Sequence, residues 1–97
     1  MLDRLIDAIA RRRLIEFDYR GYHRIAEPHV YGRLNDADRM LVFQIGGTSS
    51  SGGLPEWRLV DLSGVSNLLV LDDEFAGPRA YQSGPHRRWS IRYAVVT

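Results

Sequence analysis

The sequence predicts a mainly β domain, in which one N-terminal α-helix precedes a small bent-sheet barrel of about five to six strands. Two observations carry this prediction. Apolar residues recur at helical spacing at the start of the chain, and afterwards they alternate or run together in short stretches separated by turn formers. A small chain so rich in strands exposes several strand edges unless its sheet closes on itself. An open antiparallel sheet with the helix on one face is the alternative.

The helix is predicted over about residues 2–12. Its apolar positions are three and four residues apart and therefore share one face: Leu2, Leu5, Ile6 and Ile9. Acidic residues lie early in this segment and three arginines, Arg11 to Arg13, lie at its end, as the helix dipole favours. The arginine triplet is more typical of a solvated helix end than of a binding patch.

The first strand is predicted over about residues 15–19, where apolar and charged side chains alternate. Arg20-Gly21 indicates a hairpin turn, because glycine adopts positive φ without strain. The second strand starts near residue 23 and is interrupted by Pro28, which suits an edge or a bend. Later strands are predicted over about 40–45, 57–62, 68–71 and 89–96, with turn-like or loop segments at 32–38 and 46–53 and a linker at 77–85.

The 97 residues are predicted to form one domain, residues 1–97, with the barrel over about 14–75 and an added C-terminal strand over about 88–96. The chain contains no cysteine, so neither a disulfide nor a thiolate metal site contributes to its folding. No apolar run approaches the roughly 18 residues that span a bilayer. We therefore expect a cytoplasmic protein that does not contact a membrane.

The net charge of +1 gives by itself no indication of nucleic-acid binding. All 13 Lys and Arg positions are arginine, however, and arginine presents a planar fork that fits phosphate, carboxylate and base edges. A GC-rich genome is the simpler explanation of that composition. The positions of the arginines are more informative than their number, because clustered arginines attract phosphate even on a nearly neutral protein. The clusters are Arg11 to Arg13, and Arg87, Arg88 and Arg92.

No group of residues in the sequence forms a reaction centre. The histidines at 23, 29 and 86 are scattered, with no i,i+4 pair and no cysteine beside them to hold a metal. Serines occur without the strained Gly-x-Ser-x-Gly turn of a nucleophile, and the acidic run at 72–74 is typical of a solvated turn. We therefore expect no enzymatic activity, no metal and no cofactor.

Several motifs follow one another in a familiar order: Ile15-x-Phe17-x-Tyr19, Arg24-x-x-Glu27-Pro28-His29, an apolar strand that ends in Gln44, a Gly/Ser loop, Trp57-Arg58-Leu59, and Leu68 to Phe75. This order resembles the WYL domain in its short, stand-alone or terminal form, over roughly residues 14–75. The triplet that names the family falls near 39–41, where only the leucine is kept.

The resemblance implies a fold similar to Sm and SH3-like barrels. WYL domains usually act as regulatory, ligand-sensing modules in bacterial transcription factors and phage-defence proteins, and nucleotides or nucleic acids are their proposed effectors. The positions that match the family's ligand surface are Arg24, His29, Gln44 and Arg58, with Tyr19 and Tyr31 more weakly. Because no winged-helix domain precedes it, the chain is expected to be a sensor or binding module without its own DNA reader, or a fragment of a longer protein.

The two arginines have two interpretations. In one, Arg24 and Arg58 clamp a phosphate or carboxylate with paired hydrogen bonds. In the other, each arginine pairs with a neighbouring acid, Glu27, Glu56 or Asp61, on the barrel surface. The first predicts salt-sensitive binding of a nucleotide or short single-stranded nucleic acid.

The other candidates also have structural interpretations. His29 follows a proline and is expected to turn inward to a backbone carbonyl. Gln44 requires a partner if it is buried, and the alternative is that it lies at the solvated tip of its strand. Trp57 is expected to pack in the core rather than to stack on a ligand. For the whole chain, the alternative to a ligand-binding module is an assembly module that forms a homodimer or docks a partner protein.

Overall fold

The computed structural model describes residues 2–48, 53–79 and 89–97. Its elements are helix α1 (Asp3–Ala10) and strands β1 (Arg13–Tyr19), β2 (Tyr22–Leu34), β3 (Ala37–Gly47), β4 (Glu56–Asp61), β5 (Val65–Glu74) and β6 (Ile91–Val95), with a 3-10 turn at Leu62–Gly64. The strands are antiparallel neighbours in one sheet of order β4-β3-β2-β1-β5, and β6 pairs with β2. The predicted mainly β fold with an N-terminal helix is therefore confirmed. Strands β4 and β5 lie at the two ends of this order and do not pair with each other, so among the described strands the sheet is not closed into a barrel.

Strand β2 is the central strand of the sheet and pairs with three others: β3 along one edge, and β1 and β6 along the other. β1 pairs with its first half, from Tyr22 to Ala26, and β6 pairs with its second half, from Val30 to Arg33. Pro28 lies between these two pairings, at a register shift against β3 that runs to Val30. Proline has no N–H to donate, and such irregularities bend a strand. The predicted bend is thus inside a central strand rather than at an edge.

Two tight turns connect the first three strands. Arg20 and Gly21 have φ values of 52° and 86°, and Asn35 and Asp36 have 52° and 63°. Two consecutive residues with positive φ give the hairpin turn whose twist matches that of its strands. The turn predicted at 32–38 therefore covers too many residues. Asparagine and aspartate tolerate positive φ, so two residues are enough to connect the strands. Gly32 instead lies inside β2, where an added Cβ would collide with the carbonyl of Ile91 on β6.

Other element boundaries also differ from the prediction. Gly46 and Gly47 continue β3 by pairing with β2, and the Thr48 amide donates to the His23 carbonyl at 2.7 Å. The segment expected to be an unanchored loop therefore begins later, and its residues 49–52 lie outside the described part of the chain. β5 extends well beyond the expected 68–71, and β6 is shorter than expected. Arg87 and Arg88, with most of the predicted 77–85 linker, also fall outside the described residues.

The core lies between α1 and one face of the sheet. Leu5, Ala8 and Ile9 of the helix pack with buried side chains that include Phe17 and Val42. The helix is shorter than the predicted 2–12: Arg11 caps it, and the next residue takes a left-handed φ of 57° that ends the helical path. No helix among the described residues is long and apolar enough to cross a membrane.

Candidate functional site

Arg24 lies on β2, opposite Phe17 of β1 and Gly47 of β3. Its Nη1 donates to Oε1 of Gln44 at 2.9 Å, and its guanidinium carbon lies 5.4 Å from the centre of the Tyr19 ring. Cation–π contact and one hydrogen bond therefore hold the guanidinium between a ring and an amide. The side chain is partly buried, so this arginine is neither a core residue nor a freely solvated one.

Gln44 is fully buried near the end of β3 and fixes the direction in which Arg24 points. Its Nε2 donates to the carbonyls of Gly46 at 3.0 Å and Thr48 at 3.1 Å. Both amide hydrogens are thereby used, so the amide oxygen must face Arg24. The prediction that a buried Gln44 requires a partner is met by three hydrogen bonds. The partner that it offers to Arg24 is neutral.

Arg58 lies on the same face of the sheet. It pairs with Val42 across the β3–β4 ladder, two pairs along from Gln44 and Glu56, so strand alternation places Arg58 and Gln44 on one face. The pKa of Arg24 is lowered, first by burial and then by the nearby charge of Arg58. Arg58 itself contacts the Glu56 carboxylate at 3.2 Å, so the alternative pairing with an acid applies to this arginine. We call Tyr19, Arg24, Gln44 and Arg58 the Arg24 surface.

His29 does not join this surface. Its ring packs against Trp57 and Phe75, with centroids 4.8 Å and 5.3 Å away, and Trp57 points to the opposite side of β4 from its neighbour Arg58. Nδ1 lies 2.9 Å from the Glu27 carbonyl, which can only accept, so Nδ1 carries the proton. Burial lowers the pKa of His29 and favours the neutral ring. The expected inward turn to a carbonyl is therefore observed.

Tyr31 also lies apart from the Arg24 surface, in the core, with 1% of its surface exposed. Its hydroxyl accepts from the Leu2 amide at 2.9 Å, and its ring lies 4.8 Å from that of Tyr93. Burial raises the pKa of the hydroxyl. Tyr31 ties the start of the helix to the sheet, and its predicted role as a weaker ligand-binding residue has no support in its position.

A second arginine site is absent from the sequence interpretation. Arg79 donates to both carboxylate oxygens of the buried Glu27, at 2.6 Å and 2.9 Å, and its guanidinium lies 4.4 Å from the Phe43 ring centre. We call Glu27, Phe43 and Arg79 the Arg79 clasp. Arg79 falls in the segment predicted to be a linker, 52 residues from its partner. The available signal was Glu27 itself, because an acid in a buried strand requires a cation.

Two acids that were candidates for other roles, Asp61 and Asp72, have local partners. Asp61 accepts from the Ser63 amide and hydroxyl at 3.0 Å and 2.8 Å, and Asp72 of the predicted acidic turn contacts Arg13 at 3.2 Å. No group of three or more His, Cys, Asp or Glu side chains in the described ranges is arranged to hold a metal ion. Comparison of the chain with protein-family models, curated proteins and solved structures finds no match.

Proposed function

We propose that this chain is a non-enzymatic module that binds a nucleotide, a short nucleic acid or another anionic ligand on the Arg24 surface. The observation that carries the proposal is the charge of Arg24. Its hydrogen-bond partner is a neutral amide, a second guanidinium lies nearby, and no carboxylate among the described residues forms an ion pair with it. An anion supplies the negative charge that this arrangement lacks.

The physical argument compares the empty site with the occupied one. Two guanidinium groups on one partly buried surface repel, and the repulsion is stronger there than in bulk water. An anion placed between them removes the repulsion and accepts charge-assisted hydrogen bonds from both. Because Gln44 already fixes the direction of Arg24, little conformational freedom is lost on binding. Tyr19 adds an aromatic ring next to the charge, the combination that recognises unstacked bases.

The biological setting follows from the resemblance to WYL domains. We propose a regulatory role in transcription or phage defence, in which ligand binding is reported to a partner. An Sm or SH3-like barrel is the proposed architecture, and the bent β2, whose edge is shared by β1 and β6, supports it. The alternative of an assembly module stays a prediction.

The experiment measures binding of nucleotides and a labelled short oligonucleotide by calorimetry and fluorescence anisotropy. Arg24→Ala is expected to weaken binding about tenfold or more, as loss of a charged hydrogen bond does. Arg58→Ala is expected to have a smaller effect, because that residue also contacts Glu56. Arg24→Lys keeps the charge without the planar fork and is expected to lie between the parent and Arg24→Ala. Affinity should also fall as salt rises.

Arg4→Ala is the matched control, because Arg4 is an exposed arginine on the helix and its removal changes the net charge equally. It should bind as the parent does, and circular dichroism should show that all four variants are folded. Unchanged binding by both folded alanine variants, at Arg24 and at Arg58, would falsify the assignment of this surface. A parent chain that binds none of these ligands would contradict the proposal as a whole.

A further inference from the structure

Tyr19 contacts two guanidinium groups rather than one. The guanidinium carbons of Arg20 and Arg24 each lie 5.4 Å from the centre of its ring. The two charges are therefore separated by no more than twice that distance. The Arg24 surface thus continues past the ring to a third arginine, which the sequence interpretation left out.

Arg20 is held in this position by the turn between β1 and β2. Its φ of 52° starts the turn, and its amide donates to the Gly64 carbonyl at 3.0 Å. Gly64 lies so close that an added Cβ would come within 2.9 Å of Cε1 of Tyr19 and 3.4 Å of Cγ of Arg20. The absence of a side chain at Gly64 therefore allows the ring and the stem of Arg20 to pack on the 3-10 turn.

The charge of Arg20 is also left without an acid. The side chain is exposed and forms no ion pair within the described ranges. Asp61 is near enough to be influenced by it, but its pKa is lowered mainly by hydrogen bonds from Ser63, and Arg39 and Arg20 are only minor causes. Neither of the two arginines on the Tyr19 ring therefore forms an ion pair within the described ranges.

We infer that the site accommodates two linked phosphate groups, one at Arg24 beside Arg58 and one at Arg20. The inference rests on the proposed function and extends it from one anion to a chain of anions. Because each guanidinium carbon lies 5.4 Å from the centre of the Tyr19 ring, two directly linked phosphate groups and their hydrogen bonds span the distance between Arg20 and Arg24. In the proposed arrangement a first anion lies between Arg24 and Arg58, and the charge of Arg20 is used by the second.

The test compares inorganic phosphate, pyrophosphate and a short oligothymidylate by calorimetry. The variants are Arg20→Asn, Arg24→Ala and the control Arg4→Ala. Asparagine is chosen because Asn35 already adopts a φ of 52° in the next hairpin, so the turn is preserved while the charge is removed. The parent should bind pyrophosphate more tightly than phosphate. Arg20→Asn should weaken pyrophosphate binding about three- to fivefold, the scale of an exposed ion pair, and leave phosphate binding unchanged.

The outcomes distinguish failure of this inference from failure of the proposed anion binding at the Arg24 surface. If Arg20→Asn binds pyrophosphate as the parent does, while Arg24→Ala has lost phosphate, the site ends at Arg24 and only the extension is wrong. If Arg24→Ala retains phosphate, or the parent binds neither anion, the proposed function fails and the extension fails with it. A loss at Arg20 for both pyrophosphate and oligothymidylate supports the inference with a phosphodiester chain as the ligand. A loss for pyrophosphate alone supports it with a free polyphosphate.

Discussion

Arg24 and Arg79 lie on opposite faces of the β2–β3 pair, and their hydrogen-bond partners differ in charge. Each guanidinium lies against an aromatic ring and donates to a buried side chain of one of these strands. For Arg79 that side chain is the carboxylate of Glu27, and for Arg24 it is the amide of Gln44. A carboxylate neutralises the guanidinium, whereas an amide only orients it. The fold therefore neutralises the charge of Arg79 and only orients that of Arg24, which is the charge that we propose a ligand neutralises.

The largest effect expected from this comparison is a loss of folding stability when the Arg79 clasp is broken. Arg79→Ala leaves the buried Glu27 carboxylate without its cation and is expected to lower the free energy of unfolding by about 2–3 kcal/mol. Urea denaturation measures the loss. In the background of Glu27→Gln the same change should cost much less, because no buried charge is left unpaired, and the double-mutant cycle gives the coupling between the two residues. Additive losses would show that the clasp is not an energetic unit.

A smaller effect is expected on the pH dependence of stability, on the same side of the sheet. Burial holds the pKa of His29 below its ordinary 6.5, although the Glu27 carbonyl and charge oppose this and Arg79 adds to it. As the pH falls below 6.5, the unfolded chain takes up the proton first, so stability is full above that pH and is lost toward the folded-state pKa. One such group contributes a slope of at most about 1.4 kcal/mol per pH unit.

The measurement for His29 is a series of urea unfolding curves between pH 5 and 7.5. His29→Gln should flatten the slope of stability against pH, whatever it does to the absolute stability. Arg24→Ala, on the other face, should keep the slope of the parent and is the matched control. A parent and a His29→Gln variant with equal slopes would show that His29 is not the titrating group.

Much of the fold was accessible from the sequence because its signals are local. Alternation over 15–19, the apolar run over 40–45 and the glycine of the first turn each identify an element by its own residues. Element lengths were less accessible, because pairing partners set them: Gly46 and Gly47 look like loop residues until their pairing with β2 is known. Gly32 was predicted to lie in a turn for the same reason, although its lack of a side chain allows β6 to approach β2 closely.

The residues of the candidate site likewise differ in whether a local sequence signal identifies them. Gln44 was predicted to require a partner because a buried amide demands one, and Arg24 and Arg58 were suggested by the resemblance to WYL domains. The separation of His29 from Arg24 follows from strand alternation, because the two residues lie five positions apart on β2 and an odd spacing places side chains on opposite faces. The irregularity after Pro28 affects the residues that follow it, among them Tyr31, and no sequence pattern specifies it. Arg20 was missed because it was interpreted only as a turn residue. Arg79 was missed because its partner is distant along the chain and its own neighbours resemble a linker.

The smallest effect is expected at Arg24 itself, and it completes the comparison. Arg24→Ala removes one hydrogen bond to Gln44 but also relieves the burial of a charge and its repulsion by Arg58. Removal of Arg24 leaves the buried amide oxygen of Gln44 without its donor, but it leaves no buried charge unpaired, so we expect the free energy of unfolding to fall by only about 1 kcal/mol, less than for Arg79→Ala. Urea denaturation beside Arg79→Ala measures the difference. A loss as large as that of Arg79→Ala would mean that the fold, rather than a ligand, depends on the charge of Arg24.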